Sequence, residues 1–211
     1  MEFRLTYSGL LFSTANDGGS RAVRRADHKH EIRQAFHPQL KRLWDITPFL
    51  KNGERSGPKV LALEGDMGGT PAPAYKSRYL AKKHTKFDWN FVPLVTKSLD
   101  LLCSVDILIL RPSRPGAIIE EQGDLDGRLK TLLDALACPD ENQNYDQRTP
   151  ERSEKPFYVL LEDDRLVTRV AVETDQLLEF VTDNRDPNEV RIVITVKIRP
   201  NEMHLGNMQF G

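Results

Sequence analysis

Apolar and polar residues alternate along Leu101 to Leu110, with Leu101, Cys103, Val105, Ile107 and Ile109 on one face. The opposite face includes Ser104 and Asp106, and Arg111-Pro112 ends the run. A period of two predicts a strand with one buried face. Val190, Ile192, Ile194, Val196 and Ile198 repeat the pattern in its clearest form. Phe3, Leu5 and Tyr7 predict a short strand over residues 2–7, and Phe91–Val95, Phe157–Leu161 and Leu166–Glu173 read as further strands. A different period governs Ile32, Phe36, Leu40 and Leu43, whose spacing predicts a helix from an Asp27 N-cap to about Trp44. A second helix is predicted over residues 124–136, with Leu125, Leu129, Leu132, Leu133 and Leu136 on its buried arc.

These elements predict one α+β domain over residues 1–211, with a mixed or antiparallel sheet packed against two principal helices. Two stretches interrupt the pattern. Residues 13–90 form a basic N-terminal elaboration around the first helix, and within it Lys51 to Lys86 is a long excursion rich in Gly, Pro and Lys. Pro139 to Lys155 is a polar inserted loop, expected to be too hydrophilic to pack. No apolar run approaches the roughly 20 residues of a membrane span. Met1 to Tyr7 has no secretory hydrophobic region, and Cys103 and Cys138 form neither a disulfide framework nor a zinc spacing. The expectation is an intracellular, cytoplasmic protein without a membrane partner.

Charge changes the picture by its distribution. The net value is −1, yet residues 1–100 carry 17 Lys and Arg against 10 Asp and Glu, and residues 101–211 carry 13 against 21. A basic half beside an acidic half is either ordinary surface variation or a phosphate-tracking surface next to a metal-collecting pocket. Arg24 and Arg25 lie in a basic segment after Asn16-Asp17-Gly18-Gly19-Ser20, which reads as a loop. Lys29, Arg33, His37 and Lys41 recur every four residues, as a solvated helix face or as phosphate contacts. Lys76, Arg78, Lys82 and Lys83 interleave with Tyr75 and Tyr79, a composition suited to backbone neutralisation and base stacking. His28, His30 and His37 do not share one helix face and are set aside as a metal cluster.

The candidate chemistry lies in Asp124-Leu125-Asp126-Gly127-Arg128-Leu129-Lys130 and in Glu162-Asp163-Asp164. On a helix, positions four apart drift by about 40°, so Asp126, Lys130 and Asp134 share one polar side. Capping and the helix dipole favour aspartates at a helix start without any metal, and Lys130 has acidic neighbours to pair with. Against that explanation, three consecutive acids follow the apolar run Phe157–Leu161, where a cation would relieve their mutual repulsion. Carboxylates from both segments would bind a hard divalent ion through oxygen.

The pair of motifs resembles the RusA-type Holliday junction resolvases. In that family an Asp-x-Asp-Asn element opens a helix bearing a lysine, and a downstream Asp-Asp-x-x-Val element completes the acidic cluster. Asp124-Leu125-Asp126 with Lys130 corresponds to the first, and Asp163-Asp164-Arg165-Leu166-Val167 to the second. The resemblance implies a RusA-like fold, a homodimer, and a metal-dependent endodeoxyribonuclease acting on branched DNA. It also implies Asp124, Asp126 and Asp164 as ligands of magnesium or manganese, Asp163 as an outer ligand, and Lys130 as the phosphate-facing cation. Gly127 stands where the family carries Asn, and residues 126 and 164 are much further apart than in compact members. The substitution keeps a second reading open, a catalytically silent DNA-binding protein on the same fold.

Overall fold

Strand-forming and helix-forming patterns meet in two sheets and a set of helices rather than in one sheet. The computed structural model describes residues 1–13, 21–51, 77–112, 125–140, 145, 148–179, 186, 188–204 and 206–211. In chain order the principal elements are β1 (Glu2–Leu10), α1 (Arg21–Ile46), α2 (Ser77–Lys83), β2 (Thr85–Lys86), β3 (Trp89–Val95) and β4 (Leu101–Arg111). There follow α3 (Leu125–Leu136), β5 (Phe157–Leu161), β6 (Val167–Gln176) and β7 (Glu189–Pro200). The α+β class expected from the periodicities is the class observed.

The first sheet has the order β1-β7-β4-β6, with β4 antiparallel to β7 and parallel to β6. Its inner face carries the predicted alternating residues: Cys103, Val105, Ile107 and Ile109 of β4 oppose Ile198, Val196, Ile194 and Ile192 of β7 in register. All are buried against α1 and α3, together with Ile32, Phe36 and Leu40. The second sheet, β2-β3-β5, joins β3 and β5 in parallel. Both of its faces are covered. Val92, Leu94, Tyr158 and Leu160 enter the main core, and Trp89, Phe91, Phe157 and Val159 build a separate aromatic cluster with Tyr145. Burial on both sides explains why β5 reads as an unbroken apolar run instead of an alternation.

Three sequence expectations need correction. Asp27 is not an N-cap, because α1 already runs from Arg21 and Asp27 sits inside it, paired with Arg148. The loop after Pro139 is not unpacked: Tyr145 is buried among Trp89, Phe91 and Phe157, with ring centroids 5.1–5.6 Å from the first two. Nor is the Lys29–Arg33–His37 stripe a solvated face. Arg33 is 1% exposed. Its Nε donates to Ala137 O at 3.0 Å, one terminal nitrogen donates to Asp134 O at 2.6 Å, and the other donates to Tyr145 Oη at 3.3 Å. The C-terminal carbonyls of a helix have no intrahelical donors and carry its negative dipole end, so this guanidinium caps α3. His37 is equally committed: Nδ1 accepts from Tyr158 N at 2.9 Å and Nε2 lies 3.1 Å from Ser153 O. The stripe is the polar seam joining α1 to α3 and β5, and Arg33 is removed from the set of DNA contacts.

Removing the seam has calculable consequences. Arg33→Met leaves the Ala137 and Asp134 carbonyls without their guanidinium donors, while Tyr145 keeps His30, and is expected to lower the unfolding free energy by about 2–4 kcal/mol. Lys41→Met, on the exposed side of the same helix, serves as the neutral control in urea denaturation.

His30 supplies a pH dependence. Burial, and then the nearby Arg148, lower its pKa from 6.5 to about 4, and its Nδ1 lies 2.8 Å from the Tyr145 hydroxyl. The folded state therefore holds His30 neutral where the unfolded state is protonated. Its contribution is complete above pH 6.5 and is lost as pH falls toward 4. Unfolding free energies from urea titrations across that window should depend on pH less steeply in His30→Gln, by up to about 1.4 kcal/mol per pH unit.

Candidate functional site

Parallel pairing of β3 and β5 brings their carboxyl ends to the same edge, and side chains just past those ends define a cavity of about 540 Å³. Glu162 N continues the pairing to Val95 O at 2.9 Å, and Cys138 N donates to Leu161 O at 2.9 Å. Ala137 forms a parallel bridge with Leu161. The segment leaving α3 thus lies beside the end of β5, with the polar insertion looping away between them. Residues 134 and 164, distant in sequence, face one space for this reason. The wall includes Asp134, Asp140, Glu162, Asp163 and Asp164, together with His84, Lys86, Lys97 and Arg165.

Each acid has its own setting. Glu162 accepts from Lys97 N at 2.7 Å. Asp163 is the N-cap of the tight turn Asp164–Leu166, accepting from Arg165 N at 3.0 Å, and its other oxygen meets Lys97 Nζ at 2.5 Å. The lysine hydrogen bond, then the backbone one, hold its pKa down at about 2. Asp164, next to it and exposed, is shifted the other way: partial burial, a hydrogen bond with Asp163 and the negative charges of Asp163 and Asp134 raise it. Asp134 is paired with Lys29 Nζ of α1 at 2.5 Å. Adjacent carboxylates with opposed shifts mark a site where proton or cation affinity differs sharply between neighbours.

His84 is part of the same wall. Burial lowers its pKa, opposed by Glu162, and its Nε2 is enclosed without a hydrogen-bond partner among the described residues. Cys138 also contributes to the wall, but burial pushes its thiol up to about 12, so it is a wall and not a nucleophile.

The sequence-predicted residues are only partly united here. Asp163 and Asp164 line the cavity, joined by Asp134 from the polar row of α3. Asp126 and Lys130 are exposed on that helix and lie outside the cavity wall. Asp126 is two turns from Asp134, about 12 Å along the axis. The three form a ridge leading to the cavity rather than a cluster within it. Asp124 and Lys76 lie outside the described residues, as does the side chain of Arg24. Among the described residues no three His, Cys, Asp or Glu side chains converge as a metal-binding group. The donor chemistry, hard carboxylate oxygen, suits magnesium. The described ligands alone do not complete a site for it, because Asp134 and Asp163 are already engaged by lysines.

Of the candidate DNA contacts, Arg78, Lys82 and Lys83 are exposed on α2, Lys41 is exposed on α1, and Arg25 is half-buried. Lys29 faces Asp134. Sequence reading missed Lys86, Lys97 and Asp140, which no periodicity distinguishes from ordinary surface charge. It also missed Arg128, buried in α3, where its two terminal nitrogens donate to Leu11 O at 2.7 Å and Asn188 Oδ1 at 2.8 Å. No protein-family model, curated protein or solved structure matches the chain. The RusA resemblance therefore rests on its two short motifs. No helix among the described residues is long and apolar enough to cross a membrane.

Lys97 is expected to set the difference between the two adjacent aspartates. In Lys97→Met the Asp163 carboxyl should rise from about 2 toward its ordinary 3.8, read from the carboxyl carbon shifts in an NMR pH titration.

Proposed function

We propose that this chain is a metal-dependent endodeoxyribonuclease of the RusA type, cutting phosphodiester bonds in branched DNA. The observation that carries the reading is that the far end of the motif-bearing helix, at Asp134, meets the second acidic motif. The end of α3 and the Asp163-Asp164 turn, separated by an insertion in sequence, border one open cavity. A divalent cation, when bound, supplies an activated water and charge stabilisation at the scissile phosphate. Asp164 and Asp134 are the carboxylates on the cavity side. Asp124 and Asp126 are the carboxylates the motif adds, and Asp126, about 12 Å along the helix axis from Asp134, would act further along the ridge and not on the same ion.

The remaining work falls to this chain's own side chains. Asp163 holds Asp164 in place by capping its turn, and Lys97 pairs with the other oxygen of Asp163. Lys130, exposed on the ridge beside the cavity, faces the approaching phosphodiester. The exposed cations of α2 neutralise flanking backbone phosphates, so binding should weaken steeply with salt. A homodimer would match its two-fold axis to that of a four-way junction. A catalytically silent DNA-binding protein is the second reading. It is favoured by the lysine pairing of Asp134 and Asp163 and by Gly127 in the position of the family's asparagine.

The deciding assay offers a synthetic four-way junction, a flap and a linear duplex with magnesium or manganese. Metal-dependent cutting of the junction is expected, with Asp164→Asn and Asp126→Asn each reducing the rate by at least a hundredfold at unchanged DNA affinity. Junction binding without cutting in every metal selects the silent protein. Full activity in Asp126→Asn removes the helix start from the site.

A further inference from the structure

Beside the cavity, the β2–β3 hairpin displays an aromatic ring in a conformation that costs the backbone energy. Phe87 follows Lys86 in the two-residue turn that joins Lys86 to its cross-strand partner Trp89. Its φ is +52°, a left-handed value at which glycine or asparagine is relaxed and a bulky aromatic is strained. The ring is not a core element, since Phe87 is 55% exposed. Nothing about folding calls for phenylalanine here. Strained residues held in place by their surroundings cluster where a ligand is met.

The surroundings do hold it. Trp89 is buried in the aromatic cluster, and its indole Nε1 donates to Arg148 O at 3.0 Å. Thr85 Oγ1 lies 2.9 Å from both Asn90 Oδ1 and Ala81 O, tying the hairpin to α2. Lys86 reaches the other way: its Nζ donates to Pro139 O at 2.5 Å, and the residue forms part of the cavity wall. Phe87 therefore sits one residue, about 3.8 Å between Cα atoms, from the edge of the candidate site. From α2 to the hairpin tip the chain carries Arg78, Lys82, Lys83 and Lys86 against Asp88 alone.

An exposed ring on a turn that follows a cation-rich segment in the chain, one residue from the wall of a carboxylate cavity, fits a nucleobase better than an apolar protein surface. Cations follow the phosphates, and an aromatic face stacks on any base that leaves its neighbours. We propose that Phe87 is a wedge that stacks on an unpaired or unstacked base at the branch point and so selects branched over linear DNA. This rests on the nuclease reading for its substrate, yet it concerns binding and is tested without turnover.

The probe is a four-way junction with 2-aminopurine at the branch point, alongside a linear duplex of the same sequence. Both are titrated with the full chain in EDTA. Wild-type protein should raise 2-aminopurine fluorescence on the junction. Phe87→Ala should abolish that rise and weaken junction binding by about tenfold, with duplex binding unchanged. Phe87→Trp should restore both. Phe87→Gly should melt at or above the wild-type temperature, showing that the ring is not there to hold the fold. Junction binding and fluorescence in Phe87→Ala equal to wild type would overturn the wedge, as would equal losses on both DNAs or a wild type that binds neither. If the wild type unstacks the junction and never cuts it with magnesium, the wedge stands and the nuclease reading falls. If Phe87→Ala binds and cuts like wild type, the reverse holds.

Discussion

A single buried guanidinium decides where the candidate site can form. Arg33 reaches from the middle of α1 to the carbonyls at the end of α3 and to the Tyr145 hydroxyl of the insertion. A cationic group in the core is tolerated only with such partners, and the partners are tolerated only because it is there. The consequence is geometric. With α3 fixed at its end, Ala137 and Cys138 lie along β5, and Asp134 faces the turn that carries Asp163 and Asp164. Lys29, one turn earlier on α1, adds its charge to Asp134 from behind.

Much of the framework is legible from apolar spacing. The alternation in β4 and β7 places their inward apolar residues, because a sheet with one wet face leaves that pattern in the sequence, but not the buried Arg111 and Glu189 at their ends. The parallel pair β3 and β5 is legible as strands but not as a second sheet, since burial on both faces erases the alternation that would reveal orientation. Arg33 misleads for a related reason: a charged residue reads as surface when its partners are mostly backbone carbonyls, which composition does not display. Tyr145 is hidden in a polar stretch by the same logic, as one aromatic among hydrophilic neighbours.

The site is legible in part. Of the two acidic runs, the one past the apolar strand borders the cavity, whereas the helix reaches it through Asp134 at its far end and not through the predicted Asp126. The pairing within it was not readable. Spacing on a helix places Asp126, Lys130 and Asp134 on one side, yet which of the three meets the second acidic run depends on where α3 docks along β5. That docking is set by Arg33 and the Ala137–Leu161 bridge, both long-range contacts. Lys97 enters the site through the end of a neighbouring parallel strand, a relation that sequence distance conceals.

The insertion between Cys138 and β5 departs from two neighbouring points and returns to them, pinned midway by Tyr145. Closing such a loop costs free energy that grows only with the logarithm of its length. The described part of this loop is nonetheless tied to the core at several points: Tyr145 to Arg33, Arg148 O to Trp89 and Ser153 O to His37. The insertion therefore works as a clasp, and the order it lends to α1 and the second sheet reaches the cavity floor through those anchors.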